Sequence, residues 1–581
     1  MSFKNRIIAI VLACLMIASL AACGSKEGAA QSTSSGENSS TSDSPVIDET
    51  MFGEEDKKTE PSAPTEVTLD GKTLNIGKAG EYVISKSINN GQIIVDTDKN
   101  SVVHLILNGV SITSDSAPAI YIKKAKKAII TLAEGSENSL SVKGTFAEGQ
   151  EDGAIYSKCD LTINGKGSLK ASTESGKGIT SKDNLIITGG SFDITSKGHA
   201  IDSNDSVRVL DGSFKIKTSG DGLHAENLEN IDLGFIYAAG GSFDITSVLD
   251  GISASGDLKI LSGSYKIFTG SGSQVYAAQN NRFNPSDYNA PSFKGIKSGS
   301  DLEILGGEFN IDSEDDALHA NGKVTVSGGS GTISSGDDGI HSDDALTLSG
   351  GKYDIKRSYE GLEGLSITLS KGEYSVTSSD DGLNAAGGND QSGFGGGMRP
   401  DMFGSSPESF IKISGGKLLV DASGDGIDSN GDIIVTGGET YISGSTSSGN
   451  SAMDFGGNAT ISGGIFVAAG AYGMAQNFSS ASTQGAILLP TKNYTASTII
   501  KLTDDKGKPL FSHAFSKMFG SILISTPDIK VGGTYKLYAD NEEIATVEMT
   551  SLIYGESGGK GGPGGFGGPG GHGGRPPEQK W

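Results

Sequence analysis

The chain has 581 residues, 87 of them glycine, and a net charge of −24. Glycine at about 15 % without strict every-third spacing excludes a collagen-like chain, and the acidic excess argues against nucleic acid and towards bound cations or plain solubility. Three cysteines, Cys14, Cys23 and Cys159, are too few for a disulfide framework.

Residues 1–22 read as a secretory leader: Lys4 and Arg6, then the apolar run Ile7–Leu20, too short and wrongly flanked for a stable span. The leader holds no acid, so removing its two cations leaves the remainder at −26. Its end, Leu20-Ala21-Ala22-Cys23-Gly24, resembles the lipobox of bacterial lipoproteins. That resemblance implies lipidation at Cys23 and a place on the outer face of a bacterial cell membrane. Ordinary cleavage near Ala22, with Cys23 incidental, is the alternative. Residues 23–65 are mostly Ser, Thr, Glu and Gly and are expected to form a disordered tether.

Residues 66–151 hold short β-branched runs such as Gln92–Val95 and Val102–Leu107, expected as the irregular cap and first coils of a solenoid. From 152 to 484 one small residue returns on a near-fixed clock: Ala154, Gly178, Ala200, Gly222, Gly251, Gly295, Ala317, Gly339, Gly361, Gly382, Gly426 and Ala452. Most steps are close to 22 residues, and two of 44 mark insertions near 270–291 and 386–407. Period-two alternation is everywhere (Phe192/Ile194, Phe214/Ile216, Leu302/Ile304), so the expectation is an all-β, right-handed parallel β-helix with about 22 residues per coil. Residues 485–555 read as a small C-terminal antiparallel β-domain capping the open end, and 556–581 as a disordered Gly/Pro-rich tail.

Stacking turns a sequence period into columns of like residues. The doubled acids Asp315/Asp316, Asp337/Asp338 and Asp380/Asp381, with Glu360, Asp343 and Asp344, should line one side of the rod. An apolar residue such as Leu318 or Ile340 points in, and the next position, His319 or His341, points out. Carboxylates so close repel, and calcium, which takes six to eight oxygens, would neutralise them. The alternative is that each Asp-Gly only serves a turn, with Asp capping its own backbone and Gly at positive φ. Zinc is disfavoured, because the histidines do not fall in zincin pairs and no cysteine is near. The aromatic ladder Phe192, Phe214, Phe243, Tyr265, Phe309, Tyr353 and Tyr374 shares a face with Ile and Val, so an interior stack is expected rather than an outward sugar platform. Sugar contacts are assigned instead to Tyr276, Phe283, Tyr288, Phe394 and Phe403 in the insertions, with loop packing as the alternative.

The repeat Asp-Gly-[Ile/Leu]-x-[Ala/Ser], with Leu105–Ile112 at the front and Ile522–Pro527 at the end, resembles the carbohydrate-binding parallel β-helix family of clostridial cell-surface proteins. The resemblance spans about 65 to 555 and implies bound calcium and affinity for cellulose or acidic pectic sugars. The fold is also similar to pectate-type polysaccharide lyases. A lyase needs a base, for which Arg357, Lys356, Lys294 and Lys297 are the candidates. With no Lys or Arg inside the doubled-acid motifs, binding of polysaccharide by a monomer without cleavage is the reading taken. A lyase, or a structural and adhesive surface protein, is the alternative.

Overall fold

The structure is a computed structural model that describes residues 45–147, 149–230, 232–274, 291–385 and 408–558. The leader, Cys23, most of both insertions and all but the first residues of the tail lie outside the described residues. The rest is a parallel β-helix. One sheet of 41 strands winds through it, and a second sheet holds four antiparallel strands, Pro509–Ala514, Ile499–Asp504, Thr534–Ala539 and Glu542–Glu548.

A representative coil has three strands, Leu223–Ala225, Phe235–Ala238 and Ser242–Ser247. Each lies parallel on its counterpart in the next coil: Leu223 on Ile252, Ile236 on Leu258 and Phe243 on Tyr265. Every second side chain enters one continuous apolar core, which runs from Leu69 to Leu523. Within it Phe192, Phe214, Phe243, Tyr265 and Phe309 form the expected interior stack, with centroid spacings of 4.7 to 5.0 Å and rings within 10° of parallel. Gly331 stands at the next rung, opposite Tyr353, so Phe309 and Tyr353 meet across the gap at 6.2 Å.

The structure also explains the clock of small residues, and the reason is not turn geometry. A Cβ added at Gly222, Gly339 or Gly361 would stand 2.4–2.6 Å from the carbonyl oxygen of the next coil's small residue. Successive coils touch there, so these positions take Gly, and the column as a whole carries nothing larger than the alanines Ala154, Ala200, Ala317 and Ala452. Positive φ is found instead at turn glycines outside that column, such as Gly241 and Gly307.

At the C-terminal end Phe519–Ser525 pairs antiparallel with Ile465–Gly470 of the last coil, which leaves that edge paired rather than open. Chain expected as tether is ordered from Pro45. Phe52 is buried against Ile186, Tyr237 and Leu261 on the outside of the solenoid. Asp56, also buried, receives hydrogen bonds from Lys127 Nζ at 2.5 Å and from the Thr162 hydroxyl. The polar composition concealed this strap because its anchors are few: Ile47, Met51 and Phe52 among polar neighbours.

A buried polar ladder as the candidate functional site

Two columns of polar side chains run beside the line of small residues. The column just before it holds His199, Asp221, Asp250, Lys294, Asp316, Asp338, Glu360, Asp381, Asp425 and Ser451. The second, two places beyond the small residue, holds Asp202, His224, Ser253, Lys297, His319, His341, Glu363, Asn384, Asp428 and Asp454, each in register with the next. These side chains leave the core as the alternation requires, yet many are buried, among them Asp316, His341 and Glu363. Each outward side chain has its counterparts one coil above and below at about 4.8 Å, and these cover it.

Each first-column aspartate has two tasks. One oxygen accepts the backbone N–H of the equivalent residue in the next coil: Asp221 from Asp250 at 2.8 Å, Asp316 from Asp338 at 2.9 Å, Asp381 from Asp425 at 2.6 Å. The other oxygen is left facing the second column, and the ladder differs from end to end in what meets it.

In the first half cations meet it. Lys177 Nζ lies 2.7 Å and His224 Nδ1 2.9 Å from the Asp202 carboxylate. Burial opposes ionisation of Asp202, but these two partners outweigh it and hold the carboxyl well below its ordinary range. Lys294 occupies an aspartate's place in the column, and its buried ammonium lies 2.6 Å from Asp316 and 3.2 Å from Asp315. Against burial, the Lys294 charge and the His319 hydrogen bond keep Asp316 ionised. His341 donates through Nδ1 to Glu363 at 2.7 Å and to Asp338 at 3.1 Å, and through Nε2 to Asp343 at 3.0 Å. Burial disfavours its charge, but Glu363 foremost and Asp338 raise its pKa well above the ordinary value.

In the second half no cation stands in either column. Asp381, Asp425 and Asp428 offer oxygens within 4.8 Å of one another. Burial, then the charges of Asp380 and Asp425, push Asp381 up to about 8. Burial and the neighbouring acids also push Asp425 and Asp428 up, each to about 7. Asn384, 5 % exposed, gives its amide N–H to Glu360 at 2.7 Å, while its buried Oδ1 has no partner among the described residues.

The doubled acids divide accordingly. Asp315, Asp316 and Asp337 come within 4.8 Å of one another, and Asp338 meets His341 and Glu363. Asp343 touches His341, whereas Asp344 and Asp380 are half-buried outside these groups. Of the basic candidates, Lys294 is buried in its ion pair, Lys297 lies 3.8 Å from Asp250, Lys356 pairs with Asp354, and Arg357 is exposed. Tyr276, Phe283, Tyr288, Phe394 and Phe403 lie outside the described residues. The histidines, though not at zincin spacing, meet in pairs across coils: the rings of His199 and His224 stack at 4.0 Å and those of His319 and His341 at 4.8 Å. Partners one coil apart in space are 22 or 25 residues apart in sequence, which hides them from short-spacing motifs. Asp425, Asp428 and Asp454 were legible as ladder positions but carry single rather than doubled acids.

Fold and ladder together define an acidic, repeat-built parallel β-helix protein. The profile described as "Carbohydrate-binding domain-containing protein" matches residues 70–339 and 337–487, more than half of the chain. The chain belongs to that carbohydrate-binding domain family. A protein of Acetivibrio thermocellus carrying the same description is 39 % identical over 209 residues, which cover 35 % of this chain and 73 % of that protein. A solved structure, described as the polysaccharide lyase-like protein from C. thermocellum, gadolinium derivative, is 30 % identical with a TM-score of 0.34; the match covers 36 % of this chain and 91 % of that one.

Proposed function

We propose that the protein binds plant-type polysaccharide, cellulose or acidic pectic sugars, at the bacterial cell surface without cleaving it, and that calcium supports this binding. Family membership supports the carbohydrate partner. Lipidation at Cys23 would hold the protein to the outer face of the membrane, where it would act as a monomer.

The observation that carries the calcium reading is the contrast within the ladder. Among the described residues Asp381, Asp425 and Asp428 each lack a side-chain cation, and the orphaned Asn384 Oδ1 belongs to the coil of Asp381, in register with Asp428 of the next. The donor set is all oxygen, three carboxylates and an amide, which suits a hard cation. Asp428 and its register partner Asp454 continue the set into the next coil. Calcium there would supply positive charge and open coordination positions for sugar hydroxyls or carboxylates. The doubled acids at 315/316 and 337/338 are weaker candidates, since Lys294, His319 and His341 already serve Asp315, Asp316 and Asp338.

The test is retention of the full chain on insoluble cellulose and on polygalacturonate, with calcium and then with EGTA. The supernatant is followed for the ultraviolet absorbance of unsaturated uronides. Calcium-dependent retention with flat absorbance is the expected result. Rising absorbance would replace this reading with a calcium-dependent pectate-type lyase. No retention under either condition would remove the carbohydrate reading and leave a structural or adhesive surface protein.

A further inference from the structure

The first half of the ladder contains a group that charge balance alone does not account for. Asp221 gives one oxygen to the Asp250 N–H, and its Oδ2 faces two imidazoles. Nδ1 of His199 lies 3.1 Å from that oxygen, and Nε2 of His224 lies 3.9 Å away. The second distance is too long for a hydrogen bond, and Nε2 of His224 has no hydrogen-bond partner among the described residues. The first is frustrated. Nδ1 also sits 3.0 Å from the Asp221 backbone N–H, and one nitrogen cannot accept from that group while donating to Oδ2.

We infer that His199, Asp221 and His224 form a binding site for a divalent transition cation, zinc foremost, separate from the oxygen-only cluster at Asp381. Three atoms, two nitrogens and one oxygen, lie within 4.8 Å of one another. Around a tetrahedral zinc with bonds near 2.0–2.1 Å, neighbouring ligand atoms stand roughly 3.4 Å apart, which 3.1 and 3.9 Å bracket. The ion takes the place of the Asp221 N–H on Nδ1 of His199 and binds Nε2 of His224, leaving one position for solvent.

The support behind the ligands is that of a metal histidine. Nδ1 of His224 donates to Asp202 at 2.9 Å, which aims Nε2 at Asp221, and Lys177 holds the other Asp202 oxygen at 2.7 Å. Entry is open, because the His199 and His224 side chains keep 23 % and 15 % of their surface exposed. The other stacked pair makes the contrast. His319 and His341 are buried, and both ring nitrogens of each are already engaged with Asp316 and Asn321, or with Asp338, Glu363 and Asp343. Repeat register alone therefore does not create such a site.

The experiment is titration of the full chain with zinc against a chromophoric competitor, in excess calcium so that oxygen-only sites are filled. Cobalt absorption in the visible serves as a second readout of a tetrahedral nitrogen and oxygen environment. One zinc per chain is expected, weakened at least about 10-fold by His199→Gln and by Asp202→Asn, the latter acting through the orientation of His224. His513→Gln, on the antiparallel sheet, should leave the affinity unchanged. Equal affinity in His199→Gln and the parent would overturn the assignment, as would a cobalt complex without tetrahedral absorption. Zinc binding that survives when polysaccharide retention fails would uphold this site while removing the proposed function.

Discussion

Between Asp202 and Asp338 every carboxylate of the two ladder columns faces a lysine or a histidine, whereas beyond Glu363 the columns hold Asp381, Asp425, Asp428 and Asp454 with no Lys, Arg or His among them. The backbone is the same in both halves, and so is the use of one aspartate oxygen to cap the next coil's N–H. What differs is the answer to the second oxygen. In the first half the chain supplies its own partner, a lysine or a histidine fixed by the sequence. In the second half the columns offer no such partner, and on the calcium reading proposed above a bound cation would take that place. One scaffold thus carries ion-paired and unpaired carboxylates in the same columns, differing only in which residue occupies a rung.

Substitutions at equivalent rungs should therefore act in opposite ways. The largest effect is expected from Lys294→Met. It leaves Asp315 and Asp316 without their ammonium in a buried setting, a loss of about 3–5 kcal/mol by chemical denaturation. Adding Asp316→Asn should recover much of it, and calcium should change neither result. Asp425→Asn keeps the oxygen that accepts the Ser451 N–H but removes a carboxylate that no cation among the described residues balances. In EGTA this variant should be more stable than the parent by about 1 kcal/mol or more. Calcium should stabilise the parent by about 2.7 kcal/mol at a hundred times its dissociation constant, and should do nothing for the variant. A destabilised Asp425→Asn protein in EGTA would mean that the second half is balanced by some other group, and the contrast would fail. A smaller effect is expected at Asn384. Replacing it with Leu should weaken calcium binding about 10-fold, and in EGTA it should also lower stability by about 1 kcal/mol, because the hydrogen bond from the Asn384 amide to buried Glu360 is lost.

Much of this was legible in the sequence. The period of small residues gave coil length, strand order and register, and the alternation placed Phe192 to Tyr374 inside. The ladder's existence followed too, since stacking makes columns of any periodic residue. Its burial did not follow. Alternation says only that His341 points away from the core, while its cover comes from Asp338, Asp343 and Glu363, which meet it through the stacking of coils. Lys294 escaped notice as a column member for a simpler reason: it stands where other coils carry Asp or Glu, so a search for acids passes over it. The strap 45–64 was hidden because a few apolar anchors suffice when the surface that receives them is already built.

That strap gives the smallest effect, and one that belongs to the balanced half alone. Glu81 holds the strap's exit with one carboxylate, accepting the backbone N–H groups of Ser62 at 2.6 Å and Ala63 at 2.7 Å and the Lys58 ammonium at 2.9 Å. Those bonds, the Ala63 N–H first and Lys58 next, lower its pKa from 4.5 to about 2. A carboxyl depressed on folding contributes stability that is fully present above 4.5 and disappears as pH falls towards 2. Because the group is near solvent and its ion pair is screened, the contribution to the whole fold should be small. Its local effect should be clearer. Hydrogen exchange at Ser62 and Ala63 should speed up between pH 4.5 and 2 before the coils themselves open, and Glu81→Gln should show the faster exchange already at neutral pH. Buried Asp56 anchors the strap further along through Lys127, Thr162 and Asn164, so release should stop short of Phe52. If exchange at residues 52–57 rises together with that at 62–63, the strap opens as one unit and Glu81 is its latch rather than its hem.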